Sequence, residues 1–113
     1  MTVSNKVLIA PVLLAASQTT LYAAPTGAKT IIDKATVTNT HPTDNIAISV
    51  NLVSFGGSAS ATNLLVDARI VAVGETYTLP EMVGHNLATG DFISVLASAA
   101  SSLSLRVSGR EIT

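Results

Sequence analysis

Two histidines, His41 and His85, and a small set of carboxylates are the groups best suited to metal binding or acid–base work. A metal site wants a third ligand at a defined spacing, and neither an HxH nor an HExxH pattern occurs. Glu75, Glu81 and Asp91 fall near one rim. A glycosidase pair needs two carboxyl groups about 5–9.5 Å apart across a sugar-binding cleft. Such a cleft is poorly supplied here, with only Tyr22, Phe55, Tyr77 and Phe92 as aromatics. These carboxylates read as solvated turn residues. Gly56-Gly57 is followed by no Lys and no helix, so it is no phosphate loop. Serine is abundant, but no GxSxG elbow anchors a hydrolase triad. Arg106, Arg110 and Glu111 read as surface or interface ion pairs, which contribute little to stability when exposed. The expectation is a protein with no catalytic residues, no metal and no cofactor.

Composition narrows the class. The 113 residues are 48% hydrophobic, 12% charged and 4% aromatic, with no Cys and a net charge of −1. Charge is about half the usual level, and the core must be built from Val, Ile, Leu and Ala. Without Cys there are no disulfides and no thiol chemistry. The six cations are scattered along the sequence, which argues against nucleic acid as a partner. No apolar run reaches the 18 residues of a membrane-spanning helix, so no membrane partner is expected. Mean hydropathy is +0.52, which points to burial against copies of itself or against a partner.

The elements are strands. Ile46, Ile48, Val50 and Leu52 alternate with Asn45, Ala47, Ser49 and Asn51, the period of a core strand. Leu64, Val66, Ala68 and Ile70 alternate with Leu65, Asp67, Arg69 and Val71, with Asp67 and Arg69 placed to pair. In Lys29 to Asn39, Ile31, Ala35 and Val37 share one face. Asp33 then falls on that apolar face and Ile32 on the polar one. Such a carboxylate must be paired or near the strand end, because a lone buried charge is costly. Further strands are expected over Thr19 to Ala23, Thr76 to Leu79, Phe92 to Ala99 and from Leu103 onward. Pro25-Thr26-Gly27, His41 to Asn45, Phe55 to Asn63 and Met82 to Asp91 are turns or loops. About eight short strands with regular turn signals predict an all-β, two-sheet β-sandwich, jelly-roll or immunoglobulin-like. Its domain is expected over 19–113, preceded by an N-terminal arm or edge strand over 1–18.

That N-terminal stretch resembles a signal peptide: Lys6 precedes ten apolar residues, Val7 to Ala16. Pro11 interrupts the run, and Ser17-Gln18-Thr19-Thr20 separates it from any cleavage region. The reading is an arm or edge strand, where Pro is tolerated. Val7, Leu8, Ile9, Val12, Leu13 and Leu14 are its candidate interface residues.

Leu21-Tyr22-Ala23-Ala24-Pro25-Thr26-Gly27, Ala35-Thr36-Val37-Thr38-Asn39-Thr40 and Val73-Gly74-Glu75-Thr76-Tyr77 carry a resemblance. So do Leu87-Ala88-Thr89-Gly90-Asp91, Ala97-Ser98-Ala99-Ala100-Ser101 and Ser108-Gly109-Arg110-Glu111-Ile112. Together they resemble a family of small all-β virion structural proteins of tailed bacteriophages, from about Val7 onward. One departure is Val73, where the family often has Pro before Gly-Glu. The resemblance implies a non-enzymatic virion component assembled in many copies in the host cytoplasm. It is first a capsid decoration (cement) protein, alternatively a head–tail or tail accessory protein. The implied partners are the major capsid protein or other virion proteins, and copies of itself as a homo-oligomer. A secreted adhesin or carbohydrate-binding module is the reading from a different class.

Overall fold

The computed structural model describes residues Met1–Thr113. It contains nine strands: β1 (Val3–Leu13), β2 (Thr19–Ala23), β3 (Lys29–Asn39), β4 (Ile46–Val53), β5 (Leu64–Val71), β6 (Thr76–Thr78), β7 (Asn86–Leu87), β8 (Phe92–Ala97) and β9 (Leu103–Ile112). A single 3-10 turn, Ala61–Asn63, precedes β5. The strands form two antiparallel sheets. Sheet A runs β1-β9-β3-β6, with β7 also paired to β3; sheet B runs β2-β8-β4-β5. Successive strands change sheet at nearly every connection, and only β4 and β5 form a hairpin within one sheet. Of the two sandwich types expected, this alternation is the jelly roll. The two-residue β7 lies within the stretch expected to be irregular.

The core fills the space between the sheets. Ile32, Val37, Ile48, Val50, Leu79, Met82, Ile93, Leu103, Leu105 and Val107 are fully buried within it. It contains no ring larger than the partly buried Tyr22 and Tyr77 at its margin, as the aliphatic composition requires.

Three strands reverse their facing partway along, and β-bulges are the cause. In β3, Ile32 pairs with Gly109 and Lys34 with Ser108, leaving Asp33 as the extra residue. Thr30 and Ile32 therefore point inward before the bulge, and Ala35 and Val37 after it. The expected face of Ile31, Ala35 and Val37 is corrected: Ile32, not Ile31, joins Ala35 and Val37. Asp33 lies outside, where Arg110 grips it through Nε (3.0 and 3.2 Å) and Nη2 (3.0 Å). In β5, Ile48 pairs with Arg69 but Val50 with Val66, so the strand bulges over residues 67–68. Val66 and Val71 are buried, while Ile70 is exposed; the uniform alternation expected for 64–71 fails there. Ala68 takes φ +48° in this bulge, and its N–H donates to Ser49 Oγ at 2.9 Å. Arg69 does not pair with Asp67; its guanidinium lies 3.9 Å over the Tyr77 ring, a cation–π contact between the edge strands of the two sheets.

In β1, Val7 pairs with Ser108 and Ile9 with Val107, which makes Leu8 an extra residue. Gly109 thus sits between two bulged neighbours. A Cβ at residue 109 would run into the Ile31 carbonyl oxygen and lie 2.8 Å from Leu8 Cδ1. Leu8 occupies the space that a side chain at 109 would need. Gly109→Ala is expected to lower stability by about 3 kcal/mol, the upper part of the overpacking range. Ala68→Gly is expected to raise stability by about 1 kcal/mol, by relieving the left-handed strain. Urea melts of both variants measure this; a Gly109→Ala midpoint equal to that of the parent would refute the double-bulge account.

Candidate functional site

The N-terminal strand is the place where the fold leaves most unfinished. β1 pairs with β9 on one side and with nothing on the other. Thr2 and Thr113 exchange both backbone hydrogen bonds, at 2.8 and 2.9 Å. Antiparallel alternation then turns the backbone groups of Ser4 and Lys6 toward β9 and those of Val3, Asn5 and Val7 toward the open edge. Leu14 N–H donates to the Leu103 carbonyl at 2.8 Å, which turns residues 11 and 13 outward. Pro11 therefore stands where its missing N–H costs the sheet nothing. Val3 to Val7 keep unbroken register with β9, opposite Ile112 to Ser108. The other edges are shorter or kinked: β6 has three residues, and β2 and β5 are bulged.

The candidate interface residues divide between the two sides of this strand. Leu8, Ile9 and Leu14 are buried in the core. Val7, Val12 and Leu13 are exposed, at 44%, 36% and 51%, and Val3 joins them at 50%. Strand β1 thus combines outward backbone donors and acceptors with exposed apolar side chains. Natural proteins usually blunt such an edge.

The titratable groups of the rims are engaged in holding loops. His41 Nδ1 accepts the N–H groups of Thr43 (3.2 Å) and Asp44 (3.0 Å). Asp91 accepts the N–H groups of Phe55 and Ala88, each at 3.0 Å. Glu75 accepts the Ala72 N–H at 3.1 Å, and Glu81 the Tyr77 hydroxyl at 3.3 Å. His85 and His41 lie in separate loops, and the structure brings no three His, Cys, Asp or Glu side chains together as metal ligands. Asn39 and Asn51, both buried, tie loops in the same way. Asn39 Nδ2 donates to the carbonyls of Asp44 and Val71. Asn51 Nδ2 donates to the Ser60 carbonyl and to Asn63 Oδ1, pinning the 54–63 loop onto sheet B. No buried side-chain polar atom lacks a partner.

One polar cluster differs from the sequence expectation. Glu111 is not a surface ion pair: it is buried, and three strands converge on it and its partner. The Tyr22 hydroxyl donates to Glu111 Oε2 at 2.5 Å and shares a 2.8 Å bond with Thr30 Oγ1. Lys6 Nζ donates to Glu111 Oε1 at 3.0 Å. Tyr22 belongs to sheet B and the other three to sheet A, so the cluster fastens the sheets together beside β1. The signal was present in the parity of β9: Leu103, Leu105 and Val107 face inward, and the same count puts Glu111 inward too. The Tyr22 hydrogen bond, then Lys6, hold the Glu111 carboxyl below the usual range near 4.5. Burial, then the Glu111 bond, push the Tyr22 phenol up to about 12, against a smaller lowering by Thr30. Because the fold depresses the Glu111 value, its contribution is complete above about pH 4.5 and is lost as pH falls through the folded value. Because the fold raises the Tyr22 value, that contribution is complete below pH 10 and is lost between pH 10 and about 12. Tyr22→Phe should cost about 1–3 kcal/mol at neutral pH and flatten the alkaline limb. Denaturant melts across pH check this; an alkaline limb unchanged in Tyr22→Phe would place its origin elsewhere.

No protein-family model and no curated protein matches the chain. Among solved structures it is similar to a protein of the disulfide-linked pili formed by Bacillus endospore appendages. That likeness has 15% identity over 99% of this chain and 88% of the other, with a TM-score of 0.59. A structure of infectious bursal disease virus, Gx strain, aligns at 14% identity over 97% of this chain and 31% of that one, with a TM-score of 0.49. At 15% identity the likeness to the pilus protein is one of fold, and it spans essentially the whole of this all-β chain.

Proposed function

We propose that the chain is a non-enzymatic structural subunit that works by assembly, and that it decorates and braces the capsid of a tailed bacteriophage. The observation that carries the reading is the open edge of β1, with outward backbone groups at Val3, Asn5 and Val7 and exposed Val3, Val7, Val12 and Leu13. Such an edge recruits a neighbour's strand by main-chain hydrogen bonds, and side chains on alternate positions select the partner. The fold shared with a pilus protein supports a role in a multi-copy structure, and the turn and hairpin motifs of the sequence support the virion. The chain has no Cys, so disulfides do not make its joints.

Removing residues 1–18 is not a clean test, because Leu8, Ile9 and Leu14 would leave the core with them. Substitutions confined to the edge are cleaner. Asn5→Pro deletes one outward N–H while sparing the β9 pairing, and Val7→Lys with Leu13→Lys charges the exposed side. Both variants are expected to fold with nearly parental melting temperatures. Both are expected to lose self-association in sedimentation velocity and occupancy on purified capsids. Parental assembly by both variants would overturn the edge reading. Few copies per particle at the neck or tail, counted by mass spectrometry, would move the protein from the capsid surface to the tail region.

A further inference from the structure

The cations that look scattered in the sequence are gathered by the fold. Strands β1, β3 and β9 of sheet A hold five of the six basic residues (Lys6, Lys29, Lys34, Arg106 and Arg110), with Asp33 and Glu111 as their only acids, a net +3. Glu111 and Asp33 neutralise Lys6 and Arg110. Lys34 and Arg106 have no such partner. They stand diagonally on neighbouring strands, because Lys34 pairs with Ser108 and Thr36 with Arg106. These four side chains line a shallow cleft of about 310 Å³ on the outer face of sheet A, two cations alternating with two hydroxyls. Their inward neighbours Ala35, Val37, Leu105 and Val107 are buried, which fixes the four outward.

The opposite charge collects on another flank. Asp67 lies on β5 at the edge of sheet B, and Glu75 in the turn from β5 to β6. Glu81 is bonded to Tyr77 of β6. Asp44 sits beside the end of β5, since Asn39 Nδ2 bonds the carbonyls of both Asp44 and Val71. This flank has four carboxylates and one cation, Arg69, which lies over Tyr77, a net −3. Strands β2, β4 and β8 contain no charged residue at all.

We propose that the sheet A cleft of one copy receives the acidic β5–β6 flank of a second copy, with Lys34 and Arg106 facing Asp67 and its neighbouring carboxylates. This deepens the reading of the chain as an assembling subunit and rests on it. The two surfaces are different parts of the molecule, so a contact that one pair of copies does not reciprocate is heterologous and gives the assembly a direction. The open β1 edge supplies adhesion, and the charged pair of surfaces selects orientation and speeds encounter. A second copy fits the cleft better than a nucleic acid does, since the chain itself presents the complementary charge.

Sedimentation velocity on the full-length protein and two charge-reversed double variants tests this. Lys34→Glu with Arg106→Glu reverses the cleft, and Asp67→Lys with Glu81→Lys reverses the flank. All four positions are outward, and circular dichroism verifies folding. Each double variant alone should associate about tenfold or more weakly than the parent. An equimolar mixture of the two should regain association, and added salt should weaken the parent. Parental association by either double variant, or no recovery on mixing, overturns the proposal. So does binding of a single-stranded DNA oligonucleotide that Lys34→Glu/Arg106→Glu abolishes while self-association persists; the cleft would then serve nucleic acid. The edge reading fails separately, when Asn5→Pro and Val7→Lys/Leu13→Lys assemble like the parent while the charge-reversed mixture still shows rescue.

Discussion

Strand β9 holds the molecule together, and Gly109 is its critical position. The strand lies between β1 and β3, so it joins the first strand of the chain to the third and completes sheet A only when the C-terminus is in place. Both neighbours bulge where they pass Gly109: β1 at Leu8 and β3 at Asp33. Bulges on both sides crowd the strand between them, and only a residue without Cβ leaves room for the Ile31 carbonyl and the Leu8 side chain. The consequences run outward from there. Leu8 and Ile9, adjacent in sequence, both reach the core, Ile32 replaces Ile31 on the inner face, and Asp33 swings out to Arg110.

This crowding also marks the limit of what the sequence makes legible. The strands over Thr19–Ala23, Lys29–Asn39 and Leu64–Val71 have the bounds that apolar alternation and flanking turn residues predict. Their facing does not follow, because a period-2 count has no way to register an inserted residue. Asp33 gave a visible warning: a carboxylate in phase with apolar neighbours means a buried pair or a broken phase, and the phase is broken. The bulge at 67–68 gave none, since Leu64, Val66, Ala68 and Ile70 form a plausible inner face on paper. Pairing partners across strands decide such cases, and they depend on topology. The jelly-roll order itself is of this kind, since it requires knowing which non-consecutive strands meet.

The placement of Glu111 escapes the sequence for a related reason. Glu111 reads as a surface group beside Arg110, yet β9 parity places it inward, where Tyr22 and Lys6 complete its bonding and Thr30 holds the Tyr22 hydroxyl. A buried carboxylate is tolerable only with such partners, because its desolvation must be offset by charge-assisted hydrogen bonds. The two direct partners come from other strands, Tyr22 at a separation of 89 positions and Lys6 at 105. The rim carboxylates were easier. Asp91 and Glu75 lie among Gly and turn residues, and each accepts a backbone N–H three residues before it; Asp91 also accepts that of the distant Phe55.

The high apolar content of the chain has two destinations. Most of it fills an aliphatic core that needs no aromatic ring at its centre. Part of the remainder lies along β1, where Val3, Val7, Val12 and Leu13 stay exposed on the longest regular open edge; Phe55, Leu64, Ile70, Val73 and Val83 are exposed singly on β5 and the loops. A monomer would gain from polar residues at those positions, and an edge of that kind from a Lys or Pro in its regular half. Lys6 is present there, its side chain half exposed and its ammonium bonded to Glu111. The one Pro, Pro11, lies beyond the regular half. Pro11 removes one outward donor from the irregular half of the strand and leaves those of Val3, Asn5 and Val7 in place.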